Sequence, residues 1–382
     1  MESHSSLFTT TMASPPRVGL DYCQKLPKIE LHAHINGSIS PSTLEKLAEN
    51  SLSSSDKNIK ETFNEIHRWR TLVERRERQT LSGCFQTFKL IHKLAKDVKA
   101  VSMVTSDVIK EFASDGVKYV ELRSTPRDDP ANGLTKKLYI DAVLNGIEKC
   151  ERDRIDTIVK FLPSIDRRMS LEDAGEVVNL ALEYHSSTDK CVGLDLSGDP
   201  KYGDVKALVP LLQRARNHGL KLAIHTAEHP DSVEESRILL DVPPDRIGHG
   251  TYLHPEVGGD QSLVNSVVRS NIPIEMCMTS NLIGGVVETP SSHHLQYWRN
   301  KNHPCVICTD DKGVFSTSLS EEYLLAANTF NLSHRDIWDM SQKAIEFIFG
   351  GEDLKRRLRT TWSKEKDKIG CIQTGALNGS CP

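Results

Sequence analysis

The run Lys28-Ile29-Glu30-Leu31-His32-Ala33-His34 sets two histidines two residues apart at the end of a short apolar stretch. Alternation along a strand puts both imidazoles on one side, where two neutral nitrogens can hold a divalent transition metal. A catalytic metal needs at least one more protein ligand and an open position. Two partly buried, hydrogen-bonded histidines are the plain structural alternative, so the remainder of the chain has to decide. It offers His225 in His225-Thr226-Ala227-Glu228, His249 in Arg246-Ile247-Gly248-His249-Gly250, and Asp310 in Cys308-Thr309-Asp310-Asp311. Together His32, His34, His225 and Asp310 supply three nitrogens and a carboxylate oxygen, a set suited to one zinc with room for a water. Glu228, just beyond a ligand, is a candidate for proton transfer. His249 is a candidate to orient or deprotonate the water, and Asp311 to accept a hydrogen bond from substrate.

Such residues need a scaffold that brings distant segments together. Short apolar runs at Ile29–His34, Val117–Arg123, Thr157–Leu162, Val192–Leu196, Leu220–His225, Arg246–His249, Ile272–Met278 and Cys305–Thr309 read as eight strands. Helical patterns separate several of them, at Ser42–Asn50, Thr80–Ser114, Thr135–Arg152, Ser170–His185, Val205–Gly219 and Ser318–Phe330, several opening at a capping Ser or Thr. The alternation implies a parallel α/β sheet, which closes most economically into a (β/α)8 TIM barrel; a doubly wound open sheet is the runner-up. The metal-competent residues fall at the C-terminal ends of strands one, five, six and eight. In a barrel these ends ring one mouth, whereas an open sheet would hold the first and last far apart. Residues 51–83, between strands one and two, are too long for a simple connection and predict extra helices, either a lid over the mouth or a solvated decoration. One barrel domain is expected over residues 19–365, flanked by disordered tails at 1–18 and 366–382; the N-terminal piece has a weak organelle-targeting character as an alternative.

Composition narrows the function classes. The 382 residues are 38% hydrophobic and 26% charged with a formal net charge of −4, which gives no electrostatic commitment to nucleic acid or an anionic membrane. No apolar run approaches the roughly 18 residues of a membrane span, and the first twenty residues lack a secretory core, so a cytosolic location is expected. Nine cysteines without the dense spacing of a disulfide scaffold fit reduced thiols. Cys305-Val306-Ile307-Cys308 looks like half a zinc knuckle, but in a strand residues three apart face opposite sides.

Six ordered motifs resemble the adenosine/AMP deaminase family of the amidohydrolase superfamily. They are His32-Ala33-His34 with Asn36-Gly37, Ser197-Gly198-Asp199, His225-Thr226-Ala227-Glu228, Arg246-Ile247-Gly248-His249-Gly250, Thr279-Ser280-Asn281 and Cys308-Thr309-Asp310-Asp311. The resemblance implies hydrolytic loss of the C6 amine of a purine by zinc-activated water, with Glu228 protonating N1. It also implies the Gly198 backbone amide at the N3 edge and Asp311 at N7. Dinuclear relatives carry a bridging lysine at the end of strand four; here that strand reads Leu194-Asp195-Leu196-Ser197-Gly198, so one zinc per chain is expected.

One departure from the family's nucleoside-deaminase pattern bears on the substrate. Those enzymes have Asp two residues after the second metal histidine, at the ribose 5′-hydroxyl; this chain has Asn36. A carboxylate would repel a 5′-phosphate, while an amide can donate to one. Arg123-Ser124-Thr125-Pro126-Arg127 then offers hydroxyls and a guanidinium at the mouth, and His92 another donor. With Ser164-Ile165-Asp166-Arg167-Arg168, these resemble the adenosine deaminase-like branch, whose members convert N6-methyl-AMP to IMP and methylamine. Asp166 stands for a ribose contact or an ion pair with a neighbouring arginine, and Arg127 for a phosphate anchor or a surface arginine. Substrate contacts are thus expected at His34, Asn36, His92, Ser124, Thr125, Pro126, Arg127, Asp166, Gly198 and Asp311, in a monomer with a purine nucleotide as its partner. The alternatives are an adenosine deaminase acting on the free nucleoside, a catalytically silent nucleotide-binding protein, and a metal-dependent amide or phosphoester hydrolase on the same barrel.

Overall fold

In a computed structural model, which describes residues 17–51, 59–75 and 81–374, the chain forms eight strands paired in sequence order. They are β1 (Lys28–His34), β2 (Val117–Ser124), β3 (Ile158–Asp166), β4 (Gly193–Ser197), β5 (Lys221–Thr226), β6 (Arg246–His249), β7 (Ile274–Met276) and β8 (Cys305–Ile307). Every adjacent pair from β1·β2 to β7·β8 is parallel. The ring is completed just past β8: the His34 N–H donates to the Asp310 carbonyl (3.1 Å) and the Asp310 N–H to the His32 carbonyl (2.7 Å). First and last strands therefore adjoin, which is the (β/α)8 barrel and excludes the doubly wound sheet.

Local chemistry sets the helix starts. Thr135, Ser170 and Ser318 accept hydrogen bonds from the backbone N–H three residues on, opening helices Lys136–Arg152, Leu171–Ser187 and Leu319–Phe330. The single helix expected over 80–114 is instead two, Leu81–Leu94 and Val98–Ser114, because Asp97 caps the second by accepting from the Ala100 N–H at 2.8 Å. Strand β3 runs on to Asp166, past the expected end at Leu162, while β7 and β8 are three-residue strands, β7 leading directly into helix Met278–Ile283.

The excess between strands one and two contains helix Ile59–Glu74 and the start of Leu81–Leu94, with residues 52–58 and 76–80 outside the described ones. Helix Leu81–Leu94 reaches the mouth. Burial first, and then the nearby Asp311 carboxyl, push the Cys84 thiol up to about 11.

The C-terminal boundary expected at 366 is corrected. Helix Glu352–Thr374 continues through it, held by buried Leu358, Trp362 and Ile369, with the Trp362 indole N–H donating to Ser341 Oγ at 3.0 Å. At the other end Val18 is also buried, while residues 1–16 and 375–382 lie outside the described ones. Among the described residues no helix is long and apolar enough to cross a membrane.

Candidate active site

Three strand ends turn sharply at the mouth. Ala227, His249 and Asp310 adopt left-handed backbone, at φ +55°, +61° and +63°, conformations costly for residues with a Cβ and typical of places where side chains are aimed for function. The turns bring together side chains from β1, β5, β6 and the end of β8. His32, His225, His249 and Asp310 each offer one ligand-type atom within 4.8 Å of the others. His34 Nε2 lies 3.3 Å from His225 Nε2 and 3.4 Å from Asp310 Oδ1, and His32 Nε2 lies 3.3 Å from the same Oδ1. A tetrahedron whose corners are about 2.0–2.1 Å from its centre has edges of roughly 3.3–3.4 Å. These three separations match the ligand–ligand spacing around one cation held by His32, His34, His225 and Asp310.

The orientation of these donors is enforced from behind. Glu275 Oε2 lies 2.7 Å from His32 Nδ1, and Asp195 Oδ1 lies 3.1 Å from His225 Nδ1. Each carboxylate holds a proton on Nδ1 and leaves Nε2 bare, as metal-ligating histidines require. Burial first, then the neighbouring His225 and His32 rings, keep His34 neutral, down at about 3, against the opposing pull of the Asp310 carboxylate. For His32, burial and the Arg123 cation lower the value, but the Asp310 and Glu275 carboxylates outweigh them and raise it to about 9. Ser280 Oγ donates to Asp310 Oδ2 at 2.6 Å, turning Oδ1 to the histidines.

Two arginines inside the barrel hold the carboxylates ionised. Arg123 donates to Asp195 Oδ1 (2.9 Å) and Glu275 Oε2 (3.0 Å), and Arg246 to Glu275 Oε1 (2.6 Å) and Glu121 Oε2 (2.5 Å). Burial alone would raise the acids; His225 and Arg123 hold Asp195 well below the usual range, and Arg123 and Arg246 do so for Glu275.

Glu228 faces the metal pocket, with Oε1 3.7 Å from His249 Nε2 and Oε2 buried without a hydrogen-bond partner. Burial raises its pKa against the pull of His225 and Arg167, which favours the protonated acid. Asp311 is raised well above the carboxylate range by burial first and by Asp310 second, which favours its protonated form. It packs on Gly37, where a Cβ would lie 1.6 Å from Asp311 Oδ1, so this position of the Asn36-Gly37 pair has no room for a side chain. Gly198, at φ +102°, sits against Asp166.

The expected substrate positions divide. Thr125, Arg127, Asn36 and Asp166 are half-buried around the mouth and Pro126 is buried. Arg127 donates to the Ala95 carbonyl and lies over the Tyr139 ring at 5.2 Å, so it is not a free surface arginine. His92 has an exposed edge, yet partial burial lowers its pKa and the neighbouring cations of Arg127 and Arg168 lower it further. Asp166 is paired with Arg168, whose N–H and Nε donate to Oδ1 at 2.9 and 2.8 Å, which is the ion-pair alternative. Ser124 is not brought to the mouth. Arg123 points into the barrel, so strand alternation turns Ser124 outward, where its buried hydroxyl is 2.6 Å from the Tyr139 hydroxyl.

Comparisons with known proteins agree with this geometry. A family profile described as adenosine deaminase matches residues 27–364. An N6-methyl-AMP deaminase of Danio rerio is 49% identical over 349 residues, covering 91% of this chain and 97% of that protein. The chain belongs to the adenosine deaminase family. Among solved structures, the apo N6-methyl-AMP deaminase of Arabidopsis thaliana superposes with a TM-score of 0.81 at 35% identity, covering 92% of this chain and all of the other. An arabidopsis structure complexed with IMP gives 0.80 at 34% identity, covering 91% of this chain and 99% of the other. As a member of the adenosine deaminase family the chain is a metal-dependent hydrolase.

Sequence reasoning missed several residues this deaminase site uses. Glu275 and Asp195 stand as lone acids inside apolar triplets, Ile274-Glu275-Met276 and Leu194-Asp195-Leu196, and a charge in a buried strand needs a partner. That signal was readable, although the partners were not. Arg168 carried no local signal separating it from Arg167.

Proposed function

We propose that this chain is a zinc-dependent aminohydrolase that converts N6-methyl-AMP to IMP and methylamine. The observation that carries the reading is the convergence of His32, His34, His225 and Asp310, with separations of 3.3–3.4 Å among them, beside a buried Glu228 whose pKa burial raises. Zinc held there by His32, His34, His225 and Asp310 would supply Lewis acidity and lower the pKa of a water toward neutral. The protein's own residues do the rest. Glu228 gives its proton to purine N1, so that the ring can accept electrons when C6 is attacked. Asp311, whose protonated form burial favours, donates to N7, a lone-pair acceptor, and the Gly198 backbone N–H donates to N3. Together they place donors where negative charge develops on the ring.

The nucleotide preference is supported at the mouth by Asn36, which brings no negative charge, and by the basic group formed by His92, Arg127 and Arg168. Thr125 and Arg127 are the phosphate contacts in this reading, and Asp166, oriented by Arg168, the ribose contact. Cys23, Cys84, Cys150, Cys191, Cys277, Cys305 and Cys308 are free thiols, which supports the cytosol. The test is a product assay with adenosine, AMP and N6-methyl-AMP. Methylamine release from the methylated monophosphate is expected; fast adenosine turnover with none of the monophosphates would refute the phosphate assignment.

A further inference from the structure

His293 and Asn281 form a hydrogen-bonded chain behind His249 whose proton positions are fixed by the backbone. The Leu295 N–H donates to His293 Nδ1 at 3.1 Å, and a backbone amide can only donate. His293 Nδ1 is therefore an acceptor, and the neutral ring carries its proton on Nε2, 3.0 Å from Asn281 Oδ1. With its oxygen so engaged, Asn281 turns Nδ2 to His249 Nδ1 at 3.2 Å. An amide nitrogen donates too, so His249 Nδ1 accepts and its ring proton is on Nε2. That nitrogen faces Glu228 Oε1 at 3.7 Å and Asp310 Oδ2 at 3.8 Å.

All three side chains are buried, and each ring has an accepting nitrogen, His293 Nδ1 toward the Leu295 N–H and His249 Nδ1 toward Asn281 Nδ2, so both rings are neutral. His294 secures the backbone: its Nε2 lies 2.9 Å from the carbonyl of His249, the residue held at φ +61°. The contrast with His32 and His225 is direct. There a carboxylate behind Nδ1 takes the ring proton and frees Nε2 to ligate; behind His249 an amide donor does the opposite.

We propose that Asn281 and His293 are positioning residues that set the tautomer of His249, so that its Nε2–H is a donor aimed into the pocket and not a further metal ligand. The kinetic part of this proposal rests on the deaminase reading; the tautomer itself does not.

The decisive variant is Asn281→Asp. Its carboxylate still accepts from His293 but can only accept from His249, which forces the proton to Nδ1 and strips Nε2. In zinc-loaded enzyme labelled with 15N-histidine, the wild type is expected to report His249 protonated at Nε2 and the variant at Nδ1. The kcat for N6-methyl-AMP should fall by about 10²–10⁴-fold with KM within a few-fold, since a wrong histidine tautomer costs up to about 10⁴ in kcat in a comparable hydrolase. His293→Gln, which keeps a donor toward Asn281, should retain far more activity than His293→Phe. A wild-type spectrum with His249 protonated at Nδ1 would overturn the proposal, as would Asn281→Asp holding kcat within about threefold. Should Asn281→Asp fail to fold, the wild-type spectrum and the His293 pair decide the matter. A wild type that turns over no purine would sink the deaminase reading while leaving the spectrum to judge the tautomer.

Discussion

Glu275 Oε2 lies 2.7 Å from His32 Nδ1, and neither side chain has any exposed surface. The same carboxylate neutralises Arg123 and Arg246, so it joins the charge network inside the barrel to the metal pocket above it. Glu275→Gln should therefore do two separable things. Zinc affinity should fall by about 10–100-fold through loss of the histidine's orienting acceptor, as read by titration against a chelator. Stability should fall by about 3–5 kcal/mol, read by urea unfolding, because two buried guanidinium groups lose a partner. Unchanged zinc affinity would show that Glu275 serves the arginines alone.

The divided legibility of this site follows from where each signal lies. His32, His34, His225 and Asp310 were readable because metal ligands must be of few residue types and must end strands that converge. The barrel followed from the same fact. Ser124 does not reach the mouth because Arg123 before it fills the barrel interior, and one residue of strand register reverses the facing. The break at Asp97 was hidden because the apolar periodicity of residues 80–114 runs across it, and only the cap reveals two helices. The Asn281 and His293 contact could not be read at all, since it joins a helix after β7 to a loop twelve residues on through side chains alone.

At Asn36 a single change tests the nucleotide reading. Asn36→Asp introduces a carboxylate near the proposed phosphate position, and two unit charges about 4 Å apart repel by about 4 kcal/mol at an effective dielectric of about 20. The kcat/KM for N6-methyl-AMP should drop at least about tenfold while that for N6-methyladenosine does not. Equal losses on both substrates would show that Asn36 does not sense the phosphate.

Glu228 carries the sign of the pH dependence. Burial raises its pKa, so the acid form needed to protonate N1 persists to higher pH than for an ordinary glutamate, and activity should be lost as pH rises through that raised value. Glu228→Gln retains the shape without the proton. Its kcat should fall by about 10²–10⁴-fold with IMP affinity within a few-fold, measured by turnover and by calorimetry. A variant that kept the wild-type kcat would remove Glu228 from the chemistry.

Far from the mouth, Lys28 should make stability depend on pH in a way opposite to a salt-bridged lysine. Its ammonium is buried at the start of β1, donating to the Cys23 carbonyl at 2.6 Å and the Leu26 carbonyl at 2.9 Å. Burial lowers its pKa from 10.5 to about 8, against an opposing pull from Asp115. Between those two values the unfolded chain holds the proton and the folded chain has released it, so unfolding takes up a proton there. Stability from this group therefore rises as pH climbs through the window, and below it the charged lysine costs the fold on the order of 3 kcal/mol. Other buried thiols and phenols titrate in the same range, so the measurement is a difference: urea unfolding of wild type and Lys28→Met at a series of pH values. The wild type should gain on the variant from about pH 8 to 10.5. Curves that stay parallel across that window would mean the lysine remains charged in the folded protein, held by the two carbonyls.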